Sequence, residues 1–101
     1  MVKLTVEMIT KSMPGQNKRR NDETLNHYLN RLTHLYFQEK FIDEVYINHV
    51  CKSLAVIYLY DNSLTKIENF EFAPNLTHLY LQNNKIKRLT NLTNLISLEI
   101  L

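Results

Sequence analysis

The stretch "LTHLYLQNN" at residues 76–84 decides the fold, because it nearly repeats "LTHLYFQEK" at residues 32–40. The two copies start 44 residues apart, and the window halfway between them, residues 54–62, reads "LAVIYLYDN". All three windows fit one frame, L-x-x-(L/I)-x-(L/F)-x-x-(N/K). Self-similarity at a fixed period is typical of repeat proteins, so the chain is predicted to consist of 22-residue repeats.

The period divides the chain into an amino-terminal part and successive repeats. Residues 1–31 are predicted to form an amino-terminal segment with a helical cap. Repeats are predicted at residues 32–53, 54–75 and 76–97, and residues 98–101 are the truncated start of a fourth. One unit cannot bury its apolar face alone, so stacked neighbours would share a core. Because the sequence stops within a predicted strand, we expect self-association through an uncapped carboxy-terminal end.

Apolar positions inside the frame predict the core. Alternate side chains of a strand point to opposite faces. The inward set is Leu35, Phe37, Ile57, Leu59, Leu79 and Leu81. Beyond the strands the predicted core continues through Ile42, Val45, Leu64, Ile67, Ile86 and Leu89.

A spacing of three residues follows each strand. One ladder is Ile67, Phe70, Ala73 and Leu76, the next is Leu89, Leu92, Leu95, Leu98 and Leu101, and a weaker one is Val45, Asn48, Cys51 and Leu54. Three residues per turn suits a 3₁₀ helix. The predicted fold class is therefore α/β, a solenoid with short parallel strands on its concave face and 3₁₀ or short helical turns on its convex face. Cys51, at a core position, is predicted to be a buried structural thiol.

The first twenty residues contain three predicted features. Residues 1–13 mix apolar and polar positions that fit a short strand or a helix, and we expect mainly helix. Residues 14–20 read "PGQNKRR" and predict a mobile loop. The basic cluster at residues 18–20 is either a targeting or docking element or a solvated part of that loop.

An amphipathic helix is predicted over residues 22–30. Asn21 or Asp22 would cap it, and Glu23 would lie in its first turn, where the helix dipole favours a carboxylate. Its apolar face would consist of Leu25, Tyr28, Leu29 and Leu32. We expect this helix to cover the open end of the first repeat.

Composition excludes several classes of protein. The net charge of +2 over 101 residues is too small to indicate a nucleic-acid or lipid partner. One cysteine, Cys51, allows no internal disulfide and no cysteine pair for zinc, which favours a reducing compartment. No apolar run approaches the roughly 18 residues of a membrane span, and the start lacks the apolar core of a signal peptide. We therefore expect a cytoplasmic protein without cofactors.

An asparagine recurs at position nine of the frame. Asn62 and Asn84 follow their strands at this position, whereas the first repeat has Lys40. A tight bend after a strand turns backbone N–H and C=O groups inward, where they need partners. An asparagine amide offers two donors and an acceptor. Stacked asparagines are therefore predicted to bridge successive bends as a structural ladder.

Outward positions of the strands define a candidate partner-binding face. It comprises His34, Tyr36, Gln38, Val56, Tyr58, Tyr60, Asp61, His78, Tyr80 and Gln82. The tyrosines at position five should form a row at strand spacing, and tyrosine is enriched at interface hot spots. The alternative is plain packing of neighbouring rings. RNA is not the expected partner, because the face lacks the Lys and Arg lining that phosphates need.

Neither metal binding nor catalysis is predicted on this face. His34 and His78 would lie two strands apart, roughly 9–10 Å at about 4.8 Å per strand. That is too far for two ligands of one zinc ion, whose bonds to nitrogen are about 2.0–2.1 Å. The sequence also offers no defensible grouping of nucleophile, base and orienting residue. We therefore expect no catalytic residue, no metal and no enzyme.

The frame L-x-x-L-x-L-x-x-N-x-(L/I) resembles the signature of leucine-rich repeats. The 22-residue unit with an L-x-x-L-x-x-L ladder is similar to the SDS22-like subclass. The opening "MVKLTVEMITKS", followed by "YLYDN" and "NLTHLYLQNN", resembles leucine-rich-repeat regulatory subunits of protein phosphatase 1. The resemblance covers essentially the whole chain, although members of that family are longer.

The resemblance implies a non-enzymatic adaptor at centrosomes and microtubules in testis. Its implied partners are the protein phosphatase 1 catalytic subunit and tubulin or a microtubule motor. The short docking peptide of many phosphatase partners is absent, since "KIENF" at residues 66–70 has one residue too many. Binding would therefore use the concave face. Two alternatives stay open, a cytoskeletal or axonemal scaffold without phosphatase regulation and a truncated isoform that lacks the full surface.

Overall fold

Parallel strands and two short helices make up the fold. The computed structural model describes residues 1–90 and the backbone of residues 99 and 100. In chain order its elements are β1 (Val2–Leu4), α1 (Val6–Ser12), a 3₁₀ turn (Gly15–Asn17), α2 (Leu25–Arg31), β2 (His34–Tyr36), β3 (Ile42–Val45), β4 (Val56–Tyr58), β5 (His78–Tyr80) and β6 (Glu99–Ile100). Strands β2, β4, β5 and β6 form one parallel sheet in that order, and β1 pairs with β3 in another. The mixture of helices with parallel strands agrees with the predicted α/β class.

Strand register in the larger sheet follows the sequence period as far as β5. His34 lies opposite Val56, and Val56 lies opposite His78, so each pairing is offset by 22 residues. Strand β6 departs from this, since Glu99 lies opposite His78 where the period predicts Ile100. Ile100 lies opposite Leu79, so its predicted register is wrong by one residue. The extension of this stack into a solenoid stays a prediction.

The core lies behind the larger sheet. The six strand side chains predicted to face inward are all buried: Leu35, Phe37, Ile57, Leu59, Leu79 and Leu81. The positions after the strands are buried at Ile42, Val45, Leu64 and Ile67, and half-buried at Ile86. Within β2, β4 and β5 the middle residue is buried and its two neighbours are half-buried. The frame therefore predicted correctly which strand positions face the core.

After the strands the sequence predicted 3₁₀ or short helical turns, and the segment after β4 contains isolated turns. Ala73 N–H donates to the Phe70 carbonyl at 3.1 Å, and Leu76 N–H donates to the Ala73 carbonyl at 3.2 Å. The two bonds do not merge into a helix, because Pro74 between them has no N–H to donate. In the first repeat this segment forms strand β3, which pairs with β1. Among residues 1–90 the 3₁₀ conformation occurs at Gly15–Asn17 alone.

Two predicted core positions are wrong. Asn48 is exposed, and the neighbouring Ile47 is buried in its place, because the chain continues the alternation of β3 beyond Val45 and keeps the polar amide in water. Leu89 is 72% exposed. The other predicted members of its ladder, Leu92, Leu95, Leu98 and Leu101, lie outside the described residues.

The amino-terminal segment joins the first repeat by adding a strand. Leu4 lies opposite Val45, and Tyr46 N–H donates to the Leu4 carbonyl at 2.8 Å. Helix α1 begins after Thr5, whose hydroxyl accepts from Met8 N–H at 3.3 Å. Residues 1–13 thus contain both of the elements that the sequence allowed, although mainly helix was expected.

Helix α2 begins three residues later than predicted. Its cap is Thr24, whose hydroxyl accepts from His27 N–H at 3.1 Å. The predicted caps Asn21 and Asp22 lie instead in a turn that precedes Glu23. Tyr28, Leu29 and Leu32 are buried as predicted, and Leu25 is half-buried. In the described part of the chain, no helix combines the length and the apolar character that crossing a bilayer requires.

Candidate protein-binding surface

A row of stacked tyrosine rings occupies the outward face of the larger sheet. Tyr36, Tyr58 and Tyr80 lie opposite one another in register. Their ring centroids are 5.2 Å and 4.8 Å apart, and their planes differ by only 10° and 18°. Neighbouring strands lie about 4.8 Å apart, so the sheet itself sets this stacking. We name these three residues the tyrosine row. Since the rings cover one another's faces, the row presents ring edges and hydroxyl groups outward.

His34 lies beside the tyrosine row and packs on it. Its ring centroid is 5.9 Å from that of Tyr36 and 6.4 Å from that of Tyr58, with nearly parallel planes. The Nδ1 atom of His34 lies 2.9 Å from the Thr33 hydroxyl. The imidazole is therefore held by a hydrogen bond along its edge and by rings across its face.

His78 is oriented by a threonine in the same way. Its Nδ1 atom lies 3.0 Å from the Thr77 hydroxyl, which in turn donates to the Ala55 carbonyl at 3.0 Å. Because the hydroxyl proton is used in that bond, Nδ1 of His78 is the donor to the threonine oxygen. The sequence pattern did not single out Thr33 and Thr77, although both copies of LTHLY place a threonine directly before the histidine.

The remaining predicted site residues lie on or next to these strands. Gln38, Val56 and Tyr60 are half-buried, and Asp61 and Gln82 are exposed. The Asn83 amide donates to the Asp61 carboxylate at 2.8 Å across neighbouring repeats. Glu39, Asp61 and Asn83 occupy the same position of the frame and all have φ near +57° to +58°. The chain thus turns through the left-handed region at one fixed position after each of these strands.

Metal binding has no geometric support on this surface. Val56 pairs between His34 and His78, so the two imidazoles belong to non-adjacent strands. Among the described residues, no three His, Cys, Asp or Glu side chains are grouped so that they could hold a metal ion.

Asn62 connects two successive bends from inside the protein. Its Oδ1 atom accepts from the backbone N–H groups of Lys40 and Ile42, both at 3.0 Å. Its Nδ2 atom donates to the carbonyls of Phe37 at 2.9 Å and Leu59 at 3.0 Å. The side chain is 8% exposed, so no water is at hand to replace these bonds. The buried amide fastens the end of β2 to the end of β4.

Asn84 repeats the arrangement one layer further along. Its Oδ1 atom accepts from Leu64 N–H at 2.9 Å, and its Nδ2 atom donates to the carbonyls of Leu59 at 2.8 Å and Leu81 at 3.0 Å. Its side chain is only half-buried. The two asparagines hold the strand ends at the spacing that the tyrosine row requires.

Glu23 is a buried charged residue whose role the sequence pattern did not reveal. Its side chain is 3% exposed, and its carboxylate accepts from Nε of Arg31 at 2.5 Å and from Nη2 of Arg31 at 3.1 Å. It also accepts from Arg20 N–H at 3.1 Å and lies 2.7 Å from Nδ1 of His27. A buried carboxylate is tolerated when it is paired and hydrogen-bonded in this way. No local pattern links two residues eight positions apart across a helix boundary.

Acid should weaken the fold through Glu23. The hydrogen bond from Arg31 outweighs burial and lowers the pKa of Glu23 from 4.5 to about 2. A lowered carboxyl pKa stabilises the fold above pH 4.5, and this contribution is lost as the pH falls from 4.5 towards 2. We expect the urea midpoint of the wild type to drop across this window and that of Glu23→Gln to drop less.

Exposed Glu7 supplies the control for this titration. Its pKa is also lowered, by the hydrogen bond from Lys11, but both side chains are exposed. We expect Glu7→Gln to keep most of the wild-type drop, because exposed pairs contribute little. An equal fall of the urea midpoint with pH in the wild type and in Glu23→Gln would contradict the role of the buried carboxylate.

Cys51 is buried and free of any disulfide, as predicted. Burial raises the pKa of its thiol to about 11. The thiolate is the reactive form, so this cysteine stays unreactive at neutral pH. Its side chain packs in the hydrophobic core.

The comparison with protein families identifies repeats in the second half of the chain. Residues 52–94 match the family model described as "Leucine Rich repeats (2 copies)". This stretch contains β4, β5, Asn62 and Asn84. Leucine-rich repeats typically act as modules that bind other proteins without enzymatic activity. The search of curated proteins and of solved structures gave no match. The SDS22-like subclass therefore stays an expectation from the sequence.

Proposed function

We propose that this chain is a non-enzymatic adaptor that binds a protein partner on the face formed by the tyrosine row and its neighbours. The tyrosine row is the observation that carries this proposal. Three half-buried rings stand in a line on one sheet face, and His34 packs beside them. Leucine-rich repeats in residues 52–94 support the same class of function.

The physical argument is that the row is ready to bind before a partner arrives. Binding usually costs the entropy of fixing side chains at the interface. Here stacking and strand register already limit the rings to one arrangement. Tyrosine combines a large apolar area with a hydroxyl group that forms hydrogen bonds, which explains its enrichment at hot spots. Little further ordering is then needed when the ring edges and hydroxyl groups meet a protein surface.

The catalytic subunit of protein phosphatase 1 is the partner we propose. Support comes from the resemblance of the 22-residue frame to the SDS22-like subclass. The opening of the chain is also similar to the amino-terminal part of protein phosphatase 1 regulatory subunit 42, the testis leucine-rich-repeat protein. On this proposal the protein acts in the cytoplasm at centrosomes and microtubules, and the phosphatase docks on the tyrosine row.

Replacing Tyr58 by alanine tests the proposal at the centre of the row. We expect binding of the purified phosphatase catalytic subunit, measured by calorimetry, to weaken about 30-fold or more. This corresponds to a loss of about 2 kcal/mol of binding free energy, which is typical when a tyrosine at the centre of an interface is truncated. Tyr46→Ala is the matched control, because Tyr46 is 59% exposed and does not stack in the row. We expect the control to bind like the wild type.

Two results would go against this proposal. Equal binding by Tyr58→Ala and the wild type would remove the tyrosine row as the docking face. No phosphatase binding by either protein would remove the phosphatase as the partner. Co-sedimentation of the wild type with microtubules in that case would favour the cytoskeletal scaffold.

A further inference from the structure

A basic cavity lies in the amino-terminal cap and shares no residue with the tyrosine row. It has a volume of about 610 Å³ and is lined by residues 15–20 and by Arg31. Three of these residues, Lys18, Arg19 and Arg20, are exposed cations that are consecutive in the sequence. We name this feature the basic cavity.

The backbone of the basic cavity is held in place, although the sequence predicted a mobile loop. Arg31 donates from Nη2 to the Lys18 carbonyl at 2.9 Å and from Nη1 to the Gln16 carbonyl at 3.4 Å. The Tyr28 hydroxyl donates to the Asn17 carbonyl at 2.5 Å, and the Arg31 guanidinium lies 5.1 Å from the centre of the Tyr28 ring. Three successive carbonyls are therefore bonded from α2, which pre-organises the loop.

The charge in the cavity is only partly neutralised. Glu23 is paired with Arg31 and so balances that one cation. Arg19 uses its Nε to donate to the Glu23 backbone carbonyl at 3.0 Å. Within the described ranges, no ion pair joins a carboxylate to any of the three consecutive cations. Asp22 is the nearby exposed acid and lies with Arg20 on the wall of an adjoining cavity. A concentration of positive charge remains on a fixed backbone.

We propose that the basic cavity binds a phosphorylated serine or threonine of a protein partner. A phosphate monoester carries nearly two negative charges and three strong acceptor oxygens at neutral pH. Clustered arginines recognise such groups through charge-assisted hydrogen bonds in a fixed geometry. The cavity is concave and has room for a phosphorylated side chain, with a volume of about 610 Å³, whereas a bilayer surface favours a flat or convex basic face. Three consecutive cations are also too short a track for a nucleic-acid backbone.

A second basic cavity provides an internal control. It has a volume of about 370 Å³ and is lined by Lys66, Lys87 and Arg88 together with two threonines. It carries a similar charge on a different part of the surface. If binding depended on positive charge alone, both cavities would respond to the same ligand.

The test uses N-acetyl-phosphoserine amide as the probe and the full chain labelled with ¹⁵N. We expect saturable shifts of the backbone amide signals of residues 16–20, and no such shifts with N-acetyl-serine amide. Lys18→Gln combined with Arg20→Gln should weaken binding about tenfold or more, because each lost charge-assisted hydrogen bond removes a large share of the affinity. Lys87→Gln combined with Arg88→Gln makes the same change in net charge and should leave binding within about twofold of the wild type.

Both double variants replace exposed side chains, and their unchanged amide spectra would verify that the fold is kept. Absence of saturable shifts in the wild type would overturn the proposal. An equal loss of binding in both double variants would overturn it as well, because attraction would then be non-specific. Binding to phosphatidylserine vesicles that the phosphoserine probe does not displace would assign the cavity to a membrane surface instead.

Discussion

Replacing Asn62 by alanine is expected to lower the free energy of unfolding by about 3 to 5 kcal/mol. The truncation leaves the N–H groups of Lys40 and Ile42 and the carbonyl of Phe37 without this partner, whereas the Leu59 carbonyl keeps its bond from Asn84. Each buried polar group left unpaired costs about 1 to 3 kcal/mol. Small domains have a total stability of only about 5 to 15 kcal/mol, so a large part of the variant should be unfolded or close to unfolding.

Urea unfolding followed by circular dichroism measures this loss, and two further asparagines calibrate it. Asn84→Ala should cost less, because Asn84 is only half-buried and water can reach some of its partners. Asn83→Ala should cost about 1 kcal/mol, because its exposed amide contacts only the Asp61 carboxylate among its described bonds but its φ of 58° suits alanine less well than asparagine. If all three variants had the same midpoint, the bends would not depend on a buried amide.

Replacing Ile57 by alanine is expected to cost about 2 to 5 kcal/mol, the range for truncating a buried aliphatic side chain. Ile57 is 0% exposed and lies at the middle of β4, opposite Leu35 on one side and Leu79 on the other. Its removal leaves a void between two layers that cannot collapse without shifting both neighbouring strands. The chain would then lose contact across the sheet as well as apolar burial.

Val56 is the matched control, because it precedes Ile57 in the same strand and points to the opposite face. It is half-buried, so Val56→Ala should cost well under half as much when both are measured by urea unfolding. Ile57→Val, which removes one methylene group, should cost about 0.5 to 1.5 kcal/mol. Equal losses for Val56→Ala and Ile57→Ala would mean that the two faces of β4 are not distinguished as described.

The strands and their two faces were predictable because the same strand pattern occurs three times in the sequence. Leu35, Ile57 and Leu79 occupy the same position of a 22-residue frame. Three apolar residues at one equivalent position indicate a buried site more reliably than a single one does. The same comparison predicted the tyrosine row, since a parallel sheet in register must place equivalent positions side by side. The bridging role of Asn62 was predictable because the backbone groups of a tight bend need internal hydrogen-bond partners.

The amino-terminal segment was less predictable because it occurs only once. The start of α2 is decided by Glu23, which is held by Arg31 from the far end of the helix, and this leaves Thr24 as the cap. Strand β3 forms because β1 pairs with it from about 40 residues earlier in the chain. Such long-range pairings have no local signal. In the second repeat Pro74 interrupts the three-residue ladder, and its missing N–H leaves isolated turns there.

The tyrosine row also makes this protein its own optical probe. The chain contains six tyrosines and no tryptophan, so its ultraviolet emission comes from tyrosine alone. Three of those six chromophores stand about 5 Å apart in one stack. Excitation passes readily between rings at such distances, and the emission therefore senses whether the stack is intact. Docking on this face, or separation of its strands, becomes visible as a change in fluorescence without any added label.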